Sequence, residues 1–180
     1  GPELFDRAGQ GRVDAFFLGG GQIDGEGNIN LVGTGDYPNS DTRFPGSFGS
    51  AYLYFMVPRV ILFREEHSRR VFVDKVDFIS APGWSPPNVY RPGGPYALIT
   101  SLCVFFYDKV LRSFRLEGLL PGATLEDVLD NTGFDFHYES DVGPVPPPEP
   151  ERLDMIRTKV APMIAETYPE FARMRLGWNG

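Results

Sequence analysis

Short runs of Val, Ile, Leu and Phe punctuate the chain at Val13–Leu18, Ile29–Val32, Val60–Phe63, Val71–Val76, Ala97–Phe106 and Ser113–Leu116. They lack the strict alternation of a half-wetted strand and read as strands buried on both faces. The run Ala97–Phe106 is long and predicts a bend near Thr100-Ser101. Helical patterns are fewer. Glu3–Ala8 predicts a short helix closed by Gly9. Phe44–Phe55 reads as a glycine loop feeding a helix, with a strand as the alternative. Thr124 is an N-cap candidate ahead of Leu125-Glu126-Asp127-Val128-Leu129, with Gly133 as the left-handed C-cap. A helical stretch over 151–172 is interrupted by Pro162 and Pro169. The pattern predicts an α/β domain with an open, mainly parallel sheet flanked by helices over 1–142. A stiff proline-rich linker over 143–150 and a C-terminal helical tail over 151–180 follow, the tail packing on the domain or on a partner.

The most informative break lies where Val13–Leu18 ends in Gly19-Gly20-Gly21, followed by Gln22, Asp24, Asn28 and Asn30. Open α/β sheets bind ligands beyond the carboxyl ends of their strands, and adjacent glycines let backbone approach a ligand closely. Glycines at 19, 20, 21, 25, 27 and 33 do not form a dinucleotide fingerprint. The alternative is a tight loop whose amides satisfy its own backbone. A second loop, Arg43-Phe44-Pro45-Gly46-Ser47-Phe48-Gly49, would present free N–H groups if a helix follows, and such groups can stabilise an oxyanion. A simple turn is its alternative. Arg64 to Arg70 is a charge run between two strand candidates and reads as a solvated turn. His67 and His137 have no companions at ligand spacing, so no metal site is expected. No nucleophile elbow, Cys/His pair or Walker loop is present.

Composition narrows the class. The 180 residues are 42% hydrophobic and 23% charged, as in ordinary globular proteins. No run approaches the roughly 20 apolar residues of a membrane helix. The longest uncharged apolar run, Ala51–Val57, is closed by Pro58. A net charge of −7 argues against nucleic acid as a partner. The single Cys103 sits in an apolar run, predicting an inert buried thiol and a reducing, cytoplasmic setting. The opening Gly1-Pro2 has no initiator Met and no secretory pattern. It reads as a cleavage scar or as the start of a fragment.

Four segments, in order, resemble the beta subunit of family I coenzyme A transferases such as glutaconate and 3-oxoacid CoA-transferases. Leu18 to Asp24 with Gly27 to Asn30 is like the family's Gly-Ala-x-Gln-Val-Asp…Gly-Asn. Phe44 to Ala51 is like Pro-Gly-Ser-Gly-Gly-Ala. Glu66 to Val76 is like His-x-x-Arg-Arg-Phe-Val-x-Lys-Val. Pro121 to Val128 with Asn131 to Asp135 completes the set. The resemblance spans 4–136. It implies the CoA-transferase fold and a coenzyme A thioester as substrate, with no permanently bound cofactor. It also implies an alpha-subunit partner in a complex of two alpha and two beta subunits, and CoA transfer from an acyl-CoA to a carboxylic acid through a covalent glutamyl intermediate. By residue match it makes Gly49 the catalytic oxyanion donor and places Gly20, Gly21, Gln22 and Asp24 at the acyl site. Asn28 and Ser47 stand nearby, and Arg43 is suited to a substrate carboxylate. The family's glutamate motif, like Ser-Glu-Asn-Gly, lies upstream of everything matched and does not occur here. Phe48 and Tyr52 depart from the usual Gly and carboxylate, pointing to a larger, more apolar acyl group. The scaffold also serves acyl-CoA hydrolases, ring-cleaving hydrolases and a decarboxylase, and a non-catalytic structural role is a further reading.

Overall fold

In the computed structural model, residues 1–179 are described, and the chain divides after Val145 into two compact units. The first unit opens with α1 (Pro2–Gly9) and β1 (Ala15–Leu18). Two small antiparallel pairs follow: β2 (Gln22–Ile23) with β3 (Ile29–Asn30), and β4 (Gly33–Thr34) with β5 (Thr42–Arg43). Then come α2 (Ser50–Met56), β6 (Arg59–Arg64), β7 (Pro95–Thr100), β8 (Cys103–Asp108), β9 (Ser113–Leu119) and α3 (Leu125–Asn131). The central sheet has the order β1-β6-β7-β8-β9. β1, β6 and β7 run parallel, with Leu18 opposite Leu62 and Leu62 opposite Leu98. β8 and β9 extend the sheet as an antiparallel meander. The expected α/β architecture is therefore what the chain forms.

One sheet face carries the core. Val60 and Leu62 of β6, Leu98 of β7, Phe105 of β8 and Phe114 and Leu116 of β9 are buried against Ile23, Ile29, Tyr54, Phe72 and Phe134. Phe105, Phe114 and Phe134 meet pairwise with ring centroids 5.6–6.3 Å apart, within the range of favourable aromatic contact. Cys103 is fully buried beside them, and burial pushes its thiol up to about 12, so it is an inert core residue.

Several local expectations are corrected. Ala97–Phe106 turns near Thr100-Ser101 as expected, but fully, into two strands, because the Thr100 hydroxyl accepts the N–H groups of Leu102 and Cys103 and folds the chain back on itself. Val71–Val76 is not a strand. Phe72 makes one parallel bridge to Ile23, flanked by hydrogen bonds from the Ile23 N–H to the Val71 carbonyl and from the Val73 N–H to the Ile23 carbonyl. The partner β2 is too short to extend the pairing. Ile29–Val32 shortens to β3 for the same reason. Gly133 does not take a left-handed cap; Thr132 ends α3 in extended conformation. Gly133 is small because a Cβ there would run into the Phe72 carbonyl, to which its own N–H donates.

The α3 start is as expected and is a full capping box. The Asp127 N–H donates to the Thr124 hydroxyl oxygen, and the Thr124 N–H donates to the Asp127 carboxylate. Thr124→Ala should lower unfolding free energy by about 1 kcal/mol, read from a urea denaturation midpoint at unchanged slope.

The proline-rich segment begins inside the first unit: the Leu119 N–H donates to Gly143 and the Val145 N–H to Leu119, holding this stretch along β9. From Pro146 onward the second unit contains α4 (Pro150–Met155), a π-helical segment (Ile156–Val160), α5 (Ala161–Ala165) and α6 (Pro169–Leu176). Of the two expected breaks only Pro169 separates helices; the helical run from Pro150 to Ala165 continues through Pro162 by way of the π-helical segment. Pro162 falls in the first turn of α5, where its missing N–H leaves the preceding turn without a regular partner, and Pro169 starts α6.

Candidate active site

Past the carboxyl ends of β1 and β6 the sheet opens into a cleft of ≈ 1330 Å³. This is where an open parallel sheet places ligands. Its floor is Gly19-Gly20-Gly21 with Gln22. Leu31, Phe44, Pro45, Phe63, Val71 and Val73 form apolar walls, Arg64, Glu65, Glu66 and Arg70 form a charged rim, and Ser101 adds a hydroxyl. Everything in the lining belongs to the first unit.

The glycines are required by close packing. A Cβ on Gly20 would stand 3.0 Å from the side chains of Ile23 and Ile29. A Cβ on Gly21 would overlap the Phe44 ring, so the first glycine loop and the start of the second are seated directly on each other.

A polar scaffold fixes the floor from beneath. The Gln22 carboxamide oxygen accepts from the Asn30 side chain at 2.7 Å and from the Asp77 N–H at 3.1 Å, while its nitrogen donates to the Asp77 carboxylate. Asn30 also closes the turn to Gly33 through its carboxamide oxygen and nitrogen. Asp24 accepts the Asn28 and Glu26 N–H groups, the Asn28 side chain and the Val76 N–H. Burial raises its carboxyl above the usual carboxylate value, and these hydrogen bonds pull the other way. Asn28 accepts from the Gly83 N–H. From the core side, Tyr54 donates to the Gly27 carbonyl and Tyr107 to the Glu26 carbonyl.

Of the residues expected at the acyl site, Gly20, Gly21 and Gln22 come together on the cleft. Asp24 and Asn28 lie behind the floor, buried, with their polar atoms committed to neighbouring backbone. Arg43 is exposed in β5, its guanidinium 5.9 Å from the centre of the Tyr37 ring, away from the lining. The Ser47 carbonyl accepts from the N–H and hydroxyl of Ser50 at the start of α2. Gly49 caps α2 in left-handed conformation (φ 70°), and the Phe5 ring of α1 packs onto it. Phe48 and Tyr52 pack edge-on against that same ring with centroids 5.8 and 5.7 Å away, so both departures from the family pattern build an aromatic cluster over Gly49.

The charged rim escapes a reading of the sequence. The run 64–70 has the composition of a solvated turn, yet Arg64, Glu65, Glu66 and Arg70 face the cleft. The signal that could have found them is position: the run follows directly on β6, the strand adjacent to β1. Arg70 grips Glu66 with two hydrogen bonds of 3.2 and 2.7 Å, and Ser68 adds a third at 2.7 Å. The hydrogen bonds from Ser68 and Arg70 hold the Glu66 carboxyl below its usual value. A carboxylate so engaged is a poor nucleophile and a good rim strut.

His67 turns inward instead. Its Nδ1 lies 2.8 Å from the Thr100 hydroxyl and its Nε2 2.9 Å from the Thr132 hydroxyl, tying the rim to the end of β7 and the end of α3. Burial lowers its pKa to about 4, so the ring is neutral, with one nitrogen donating to a threonine hydroxyl and the other accepting from the second. Among the described residues no group of three or more His, Cys, Asp or Glu side chains could hold a metal ion, and no helix is long and apolar enough to cross a membrane.

An α/β sheet with a glycine-lined cleft beyond its parallel strands is the architecture, and comparison with known proteins gives its family. Residues 4–131 match the family described as Coenzyme A transferase. The beta subunit of glutaconate CoA-transferase from Acidaminococcus fermentans is 33% identical over 81% of this chain and 56% of its own length. The IpdB subunit of a cholesterol ring-cleaving hydrolase from Rhodococcus jostii is 31% identical over 89% of this chain and 64% of its own. The crystal structure of Rhodococcus jostii IpdAB superposes with a TM-score of 0.81 at 30% identity, covering 87% of this chain and 64% of that one. The decarboxylase AibA/AibB superposes with a TM-score of 0.72 at 30% identity, covering 85% and 59%. The chain belongs to the coenzyme A transferase family. It spans less than two thirds of the length of these relatives.

Proposed function

We propose that this chain is part of the beta subunit of an acyl-CoA enzyme working with an alpha subunit, and that it transfers CoA from an acyl-CoA to a carboxylic acid. The observation that carries the reading is the cleft itself. A floor of three glycines and Gln22 at the carboxyl ends of β1 and β6 faces apolar walls, wide enough for a thioester and an acyl chain. Gly20 and Gly21 lie against the thioester, Phe44 and Phe63 against the acyl chain, and Gln22 holds the floor rigid. Gly49, Ser47, Arg43, Asp24 and Asn28 support the loops around that site rather than contacting the thioester. The attacking carboxylate is not assigned to a residue of this sequence. The coenzyme A thioester is a substrate rather than a resident cofactor. A reducing cytoplasm suits a protein whose one thiol is buried.

The test is isotope exchange. The protein, co-expressed with its alpha partner, should move CoA between an acyl-CoA and a labelled acid with ping-pong kinetics, and borohydride should trap an enzyme-bound thioester. An acyl-CoA consumed without exchange, with release of free CoA or of carbon dioxide, would replace transfer by hydrolysis or decarboxylation on the same cleft. The similarity to a decarboxylase and to a ring-cleaving hydrolase at 30–31% identity favours that second reading. A purely structural chain would bind no acyl-CoA in this cleft.

A further inference from the structure

The second unit buries little of its own apolar surface. Its α5 and α6 pack on each other across a short turn at 166–168, the geometry of an antiparallel helix pair. The buried side chains of residues 146–179 are three alanines, Ala161, Ala165 and Ala172. The large apolar side chains stand in solvent instead: Met163 is 71% exposed and Met174 75%, and Val160 and Phe171 are exposed with them. A unit this small ordinarily needs further support, and oligomerisation is one form of it.

Two stretches of the unit share a pattern. Val160-Ala161-Pro162-Met163 leads into α5, and Phe171-Ala172-Arg173-Met174 lies in α6. In each, a buried alanine is preceded by one exposed apolar residue and followed two positions later by a methionine. Residues three apart share a helix face. Equal offsets from the contact alanine on two antiparallel helices fall on the same side of the pair. Val160, Met163, Phe171 and Met174 therefore make one continuous apolar face, and the other side carries Lys159, Glu166, Glu170 and Arg173.

We propose that two copies of the chain join through this face, the two helix pairs closing into a four-helix bundle. The proposal is independent of the acyl-CoA reading, and the matched family region ends at residue 131, short of this unit. Charge selects the occupant. The unit's five acidic and five basic side chains cancel, so the net charge of −7 lies entirely in residues 1–145. A neutral surface meets its own copy without repulsion, whereas the acidic first unit repels a second one. Symmetry agrees, because an apolar layer two helices wide is self-complementary about a twofold axis. With Met155 and Tyr168, also exposed in this unit, the apolar surface on offer is on the order of the 800 Å² that one side of a stable interface buries. Thioethers let such a face adapt to its partner.

The full chain is weighed by sedimentation equilibrium at micromolar concentration. Wild type should give twice the 20.1 kDa of one chain. Met163→Glu with Met174→Glu should weaken the dimer by about a hundredfold to a thousandfold, since carboxylates would be buried without partners. Lys159→Ala with Arg173→Ala, on the charged side, should leave it intact. A single-chain mass for wild type, or a dimer that survives both glutamates, overturns the proposal. So does equal dissociation by the alanine pair. A benzophenone in place of Phe171, in complexes with the alpha partner assembled from mixed ordinary and heavy-isotope copies, gives an answer that does not depend on the glutamate variant folding. Links between an ordinary and a heavy chain, mapped to residues 150–178 of both, are expected. Links confined to one chain, or reaching only the alpha subunit, assign the face elsewhere and overturn the proposal.

Discussion

Replacing Gly21 with alanine is expected to damage activity far more than stability. The new methyl would occupy the place of the Phe44 ring, which is half-buried and lines the cleft, so the ring must move. Moving a partly exposed side chain costs about 1 kcal/mol, at the low end of overpacking. On the proposed function, the same movement drives an aromatic ring into the space assigned to the acyl chain. A displacement of about 1 Å near a reacting group can cost on the order of a hundredfold in rate, and that is the loss expected in kcat/KM for the acyl-CoA. Gly21→Ala combined with Phe44→Leu should recover part of it, because the smaller side chain clears the methyl. The check is a double-mutant cycle on kcat/KM, run beside urea midpoints for all four proteins. Additive losses, with no recovery in the double variant, would mean that Gly21 and Phe44 do not meet in the working enzyme.

The second large effect is on stability, between pH 6.5 and pH 4.5. Buried His67 binds a proton only near pH 4, whereas in the unfolded chain it does so near its ordinary value of 6.5. Its folded pKa is depressed, so its contribution is fully present above pH 6.5 and is lost as pH falls through that interval toward 4. The interval is worth about 3 kcal/mol. Asp24 acts with the opposite sign in part of the same range, since burial raises its pKa and its contribution fades as pH rises. Comparing wild type with His67→Gln removes that background, because Asp24 is present in both. The variant should be less stable at pH 7, having lost one or both threonine contacts, and its denaturation midpoint should fall less steeply with pH than that of wild type. Parallel pH profiles would mean that His67 is solvated rather than held between Thr100 and Thr132.

How much of this is legible in the chain depends on whether a feature is set along it or across it. β1 and its glycine break are readable because an apolar run stops at three glycines, and the α3 start because Thr124 and Asp127 are three residues apart. The strand expected over Val71–Val76 fails because its pairing partner, β2, is only two residues long, which the sequence of the segment itself does not reveal. Polar residues at a strand end are recognisable, but not their direction. Gln22, Asp24, Asn28 and Asn30 look alike as candidate ligand groups. Their hydrogen bonds are spent on Asp77, Val76, Gly83 and Gly33, contacts that span up to 55 positions of chain. The resemblance to the transferases finds the family. It does not show that Phe5 covers Gly49, because α1 reaches that loop only through tertiary packing. The rim is a solvated turn, as its charge predicts, with the Arg70 side chain 78% exposed; what the sequence does not show is that the run also lines the cleft beside the glycine floor.

The claim beneath all of this is that the acyl chain of a CoA thioester lies between the glycine floor and the walls of Phe44, Phe63 and Leu31. Photolabelling tests it most directly, using an acyl-CoA with a diazirine in its acyl chain, irradiated in the assembled complex and mapped by peptide mass spectrometry. Label on peptides carrying residues 19–22, 31, 44–45 or 63–71, displaced by excess unlabelled acyl-CoA, is the predicted result. Displaceable label confined to other surfaces of the chain, with these peptides clean, would contradict it.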